Sequence, residues 1–157
     1  MKIGTIDIGT NSMRLLTAQY KDGKIIDRKK YVNTTRIGQG VDSNGYISKE
    51  AIDRNIQALK EFKGICDEYK CDYICCMGTS ALRDSKNSKE FVELAKKEAN
   101  VDVDIITGDR ESNLGFLGVL EGLESENWRN ISYRYRRRST EFIVGDKDGV
   151  AFVKVKM

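Results

Sequence analysis

The sequence contains no histidine and no proline, and only one tryptophan. Without histidine, a zinc site that combines thiolate and imidazole ligands is excluded. Four cysteines remain, Cys66, Cys71, Cys75 and Cys76, crowded into eleven positions with no paired C-x-x-C spacing. They are expected to be free thiols serving as small apolar side chains. Cys75 and Cys76 are neighbours on one strand and should point to opposite faces. No apolar run is long enough to cross a bilayer, and no membrane association is expected. No repeat or low-complexity linker precedes Trp128. Met1-Lys2-Ile3-Gly4 leads into a strand pattern rather than a basic-then-apolar leader, so the expected location is cytoplasmic.

What is present fits a globular domain. A chain of 157 residues, 39% hydrophobic and 32% charged, can bury a core of its own. The net charge of +3 is modest and by itself implies no nucleic-acid partner. Its distribution is uneven, because five of the eleven arginines fall between Arg129 and Arg138.

Hydrophobic periodicity predicts strands over residues 2–8, 13–20 and 24–35, the last two joined by the hairpin signal Lys21-Asp22-Gly23-Lys24. A glycine-punctuated loop follows, from Arg36-Ile37-Gly38-Gln39-Gly40 to Asn44-Gly45. Ser48 can cap a helix to about Tyr69, with Ile52, Ile56, Leu59, Phe62 and Cys66 on one face. A strand over 72–77, a helical stretch restarted at Asn87-Ser88, a strand over 101–106 and a helix over 109–123 come next. Two further strands, 139–144 and 150–156, close the pattern. The order βββαβαβα predicts an α/β fold with a mixed sheet and helices packed on its faces.

Three strand ends carry the chemistry. Ile6-Asp7-Ile8-Gly9-Thr10-Asn11-Ser12 combines a turn-forming glycine with backbone amides and short polar side chains able to hold an anion. Asp7 could orient a metal ion or its waters. Gly78-Thr79-Ser80-Ala81-Leu82-Arg83-Asp84 places hydroxyls before a helix, with Arg83 as a planar phosphate clamp. Thr107-Gly108-Asp109-Arg110-Glu111 offers Glu111 as a general base on a first helical turn, although Asp109 and Glu111 equally complement a helix dipole. Each turn alone also reads as an ordinary hairpin or cap. Together, at C-terminal strand ends, they supply what phosphoanhydride hydrolysis requires.

The set resembles the N-terminal domain of the exopolyphosphatase / guanosine pentaphosphate phosphohydrolase (Ppx/GppA) family. The matching stretches are Asp7 to Ser12, Arg36 to Gly40, Gly78 to Asp84 with Asn87, and Thr107 to Glu111. The resemblance implies a ribonuclease-H-like lobe of the actin/Hsp70/sugar-kinase fold. It implies Mg²⁺-dependent removal of the terminal phosphate from inorganic polyphosphate or guanosine pentaphosphate (pppGpp). Glu111 falls on the family's catalytic base, and Asp7 with Glu111 on its metal site. Gly9, Thr10, Asn11, Ser12, Ser80 and Arg83 fall on its phosphate-binding positions. A homodimer is an open assembly. A non-catalytic phosphate or nucleotide binder, or a phosphotransferase of the same fold, are the competing functions. Residues 1–126 are expected to form the phosphate-binding lobe and 127–157 the beginning of a second, so the chain is expected to hold about half a cleft.

One segment departs from the family. Its second phosphate loop reads Asp-Ile-Gly-Gly-Gly-Ser-Thr-Glu, whereas this chain has Arg134-Tyr135-Arg136-Arg137-Arg138 before Ser139-Thr140-Glu141. Arginines cannot replace glycines that allow close backbone approach. Ser132 to Arg138 can be encoded by AGT TAT CGA TAT AGG AGG AGG, nucleotides that read one base later give Val-Ile-Asp-Ile-Gly-Gly-Gly. A pair of compensating frame changes flanking this stretch, in the gene or its recorded sequence, would account for the departure. A nucleic-acid surface with Tyr133 and Tyr135 interleaved, or a solvated strand edge, does not explain why the flanks still match.

Overall fold

A computed structural model describes residues 1–121, 130–136, 139–146 and 149–155. The chain divides into two compact units, Met1–Thr107 and Gly108–Met157. The boundary expected between residues 126 and 127 lies outside the described residues, as do Arg137 and Arg138.

The first unit begins with three strands, β1 (Lys2–Ile8), β2 (Met13–Lys21) and β3 (Lys24–Asn33). Asp22 and Gly23 both have positive φ, 50° and 76°, the pairing that two-residue hairpins need to match strand twist. The β2–β3 ladder shifts register between Thr17 and Gln19, and Asp27 on β3 has φ 50° there. This extra residue forms a bulge. Its carboxylate accepts a 2.7 Å hydrogen bond from the Tyr69 hydroxyl.

A short helix absent from the sequence expectation, α1 (Val41–Asn44), interrupts the glycine-punctuated loop. Helix α2 (Lys49–Tyr69) starts at Ser48, whose side chain accepts from the Ala51 amide at 3.2 Å. Strand β4 (Tyr73–Gly78), the five-residue α3 (Ser80–Asp84), α4 (Ser88–Ala99) and β5 (Val103–Ile105) complete the unit. Asn87 precedes α4 without capping it by side chain. Its amide instead brackets Ile47, accepting from the Ile47 nitrogen at 2.9 Å and donating to the Ile47 oxygen at 3.0 Å. That double bond pins the approach to α2 against the start of α4.

Sheet order is β3-β2-β1-β4-β5, with β1–β2–β3 antiparallel and β1–β4–β5 parallel. The apolar face of α2, namely Ile52, Ile56, Leu59, Phe62 and Cys66, is buried in one cluster with Ile6 and Ile8 of β1 and Met13 and Leu15 of β2. Phe91 and Ala95 of α4 join the same cluster. Each fully buried large apolar side chain contributes about 1.5–3 kcal/mol, so this layer supplies most of the folding drive. Cys76 is buried and Cys75 exposed, as alternation along a strand requires, and all four cysteines are free.

The second unit contains α5 (Gly108–Glu121) and an antiparallel meander of β6 (Asn130–Arg136), β7 (Ser139–Asp146) and β8 (Gly149–Val155), in the order β6-β7-β8. Arg136 pairs with Ser139, and Asp146 with Gly149. Among the described residues, no helix is long and apolar enough to cross a membrane.

Candidate functional site

Parallel pairing sets the site. Ile8 lies opposite Gly78, and Gly78 opposite Ile105, so the segments leaving β1, β4 and β5 emerge side by side at one sheet end. In open α/β sheets this is where ligands bind.

The first segment is a tight turn closed by the Gly9 amide donating to the Ser12 carbonyl at 3.1 Å. Asn11 at its tip is exposed, and its Nδ2 approaches Ser12 Oγ at 3.4 Å. A second loop lies against it: the Arg36 amide donates to Asn11 O and the Gly38 amide to Thr10 O, each at 3.0 Å. A Cβ at residue 38 would run into the Thr10 methyl and lie 3.3 Å from Thr10 O, so only glycine permits this approach.

The third segment follows β4. Thr79 is buried, and both its amide and its hydroxyl donate to Ile8 O, at 3.3 and 3.1 Å. That hydroxyl therefore couples strand ends. Ser80 differs, sharing a 2.9 Å hydrogen bond with Thr10 in which either hydroxyl can donate. Helix α3, five residues long, is too short to build much of a macrodipole. Arg83 Nη1 donates to Ile106 O at 2.9 Å, which ties α3 to the end of β5.

Of the residues singled out in the sequence, Gly9, Thr10, Asn11, Ser12, Ser80 and Arg83 share this end of the first unit. Asp7, half-buried on β1, has its cross-strand neighbour Arg14 at 3.6 Å. Exposed pairs of this kind contribute little stability. Glu111 belongs to the second unit, on the first turn of α5, where it is only 5% exposed. Among the described residues no group of three or more cysteine or carboxylate side chains is placed to hold a metal ion. A single strand-end carboxylate still suits Mg²⁺, which keeps several waters and takes its other ligands from substrate phosphates.

Two features escaped the sequence reading. The fixed bond between Thr10 and Ser80 depends on tertiary pairing. Arg36 has φ 49°, a left-handed conformation that its place in a glycine-punctuated loop hinted at but no local rule assigns to arginine.

Residues 16–154 match the model of the Ppx/GppA phosphatase family. The chain belongs to this family. It is 35% identical over 154 residues to the bifunctional 3-dehydroquinate synthase/phosphatase of Fusobacterium nucleatum, covering 93% of this chain and 23% of that protein. Exopolyphosphatase 1 of Mycobacterium tuberculosis is 32% identical over 120 residues, 76% of this chain and 35% of that protein. The crystal structure of the Aquifex aeolicus Ppx/GppA family member superposes with a TM-score of 0.88 at 32% identity, over 99% of this chain and 51% of that one. The ethanolamine utilization protein EutJ of Carboxydothermus hydrogenoformans shares the fold alone, with a TM-score of 0.52 at 13% identity. The fold is thus the actin-like one expected, with its ribonuclease-H-like strand order. The chain spans about half the length of the Ppx/GppA structure and a smaller share of these two relatives.

Proposed function

We propose that this chain carries the phosphate-binding lobe of a hydrolase that removes the terminal phosphate of inorganic polyphosphate or pppGpp in the cytoplasm. The observation that supports this most is the juxtaposition of the Gly9–Ser12 turn with Ser80 through the Thr10–Ser80 hydrogen bond. It brings the hydroxyls and backbone of two strand-end segments together, donor types that a phosphate takes.

In this reading Gly9, Thr10, Asn11, Ser12 and Ser80 bind the terminal phosphate, and Arg83 adds positive charge. Glu111 takes a proton from the attacking water as a new P–O bond forms in line with the departing oxygen. The bridging P–O bond breaks, and its electron pair leaves on the next phosphate. Asp7 and Glu111 would hold Mg²⁺, which when bound neutralises charge on the phosphate oxygens. Residues 1–126 form the phosphate-binding lobe and 127–157 the first strands of a second. Light scattering distinguishes a monomer from a homodimer.

Phosphate release from polyphosphate and pppGpp, with and without Mg²⁺, tests this. Glu111→Gln should lower release at least about 100-fold while phosphate binding persists. Undiminished release by that variant would remove Glu111 from the chemistry. The arginines at 134–138, where the family has a phosphate loop, favour a second reading as a phosphate binder without turnover. Binding without release by the unmodified chain would select it.

A further inference from the structure

Arg36 occupies a backbone conformation that side-chain-bearing residues rarely adopt, with φ 49°. The surrounding structure holds it there from both sides. Beneath it, Arg54 Nε and Asn55 Nδ2 both donate to Thr35 O, at 3.0 and 3.4 Å. Asn55 is completely buried on α2, and its Nδ2 also donates to Ala51 O at 2.8 Å. Above it, the Arg36 amide donates to Asn11 O at 3.0 Å, and the Gln39 amide closes back on Arg36 O at 3.1 Å. A left-handed residue clamped in this way is normally glycine, asparagine or aspartate.

The side chain has no structural work that would explain an arginine. Arg36 is exposed, and its guanidinium makes no hydrogen bond or ion pair among the described residues. By contrast Arg14, another exposed cation at this end of the sheet, is engaged with Asp7. Strained backbone held by its surroundings is characteristic of ligand-binding positions.

We propose that Arg36 contacts the second phosphate of the substrate, the one bonded to the terminal phosphate held by the Gly9–Ser12 turn. This rests on the phosphate-binding reading given above. The hydrogen bond from the Arg36 amide to Asn11 O puts the base of this side chain against the Gly9–Ser12 turn, within an arginine's reach of a phosphate bound there. In hydrolysis the bridging oxygen of that second phosphate receives the electron pair of the broken P–O bond. A planar cation beside it therefore binds the substrate and also stabilises the departing oxygen. The ligand class that follows is a phosphoanhydride with at least two linked phosphates, preferred over a monophosphate.

Calorimetric titration of the chain with tripolyphosphate and with orthophosphate reads this directly. Arg36→Gly suits the left-handed backbone, so the fold should persist with an unchanged or higher melting temperature. It should weaken tripolyphosphate about tenfold or more and leave orthophosphate unchanged. Arg36→Lys should fall between, because it keeps the charge without the fork. Equal tripolyphosphate affinity in Arg36→Gly and the unmodified chain would overturn this inference while leaving the phosphate site intact. Binding of neither anion by the unmodified chain would overturn the phosphate site itself, and the role of Arg36 with it.

Discussion

Thr10 and Ser80 stand 70 residues apart in sequence and share a 2.9 Å hydrogen bond between their hydroxyls. The bond joins the turn after β1 to the start of α3, and so sets the spacing of two polar loops. Thr10→Val keeps the shape and removes the hydroxyl. It should cost about 1 kcal/mol and lower the melting temperature by about 3 °C. Orthophosphate affinity measured by calorimetry should fall as well. A variant with normal phosphate affinity would show that this bond is structural only.

Gly38 is the contact that lets the Arg36–Gly40 loop rest on the Thr10 turn. In Gly38→Ala the new methyl meets the Thr10 side chain and lies 3.3 Å from both Thr10 O and the Ala81 Cβ. Backbone on one side cannot yield as a side-chain tip can. The expected loss is about 1–3 kcal/mol in urea unfolding, with a lower midpoint and an unchanged slope.

The buried thiols give the fold an alkaline limit. Burial pushes Cys66 up to about 12, and it also raises Cys76 and, less completely shielded, Cys71. In the unfolded chain these thiols ionise near their ordinary value of about 8.5. Above that pH the unfolded state loses protons that the folded state keeps, so stability is fully present below about pH 8.5 and declines as pH rises toward the folded values. Melting temperature should fall steadily from pH 8.5 to 10.5. The double variant Cys66→Ala/Cys76→Ala should start lower but show a flatter decline. In the native protein at pH 8 a thiol-reactive dye should label exposed Cys75 first, and Cys66 and Cys76 only after unfolding.

The segment Arg134–Arg138 makes a prediction about the gene. If compensating frame changes flank Ser132–Arg138, the codons of Arg136, Arg137 and Arg138 end in GG, so that glycine appears one base later. Sequencing the coding DNA decides it. Arginine codons ending otherwise would establish the basic strand as the protein's own.

Much of the architecture was legible in the linear chain because local physics dictates it. Ser48 before the Ile52–Ile56–Leu59–Phe62 stripe specifies a capped amphipathic helix through spacing alone. Asp22-Gly23 specifies a hairpin because few other residues accept two successive positive φ angles. Alternation sent Cys75 and Cys76 to opposite faces.

What lay beyond the sequence was everything requiring distant partners. Nothing local says that Ile8 will align with Gly78, yet that register alone sets Ser80 against Thr10 and spends the Thr79 hydroxyl on Ile8 O. Nor does it say that Asn87 will bracket Ile47 instead of capping α4, or that Arg36 will be held left-handed between Asn55 and Asn11. Short-range propensity chooses helix, strand and turn. Hydrogen bonds between segments remote in sequence exist only after the sheet has formed, and those bonds assign each polar side chain to scaffold or to site.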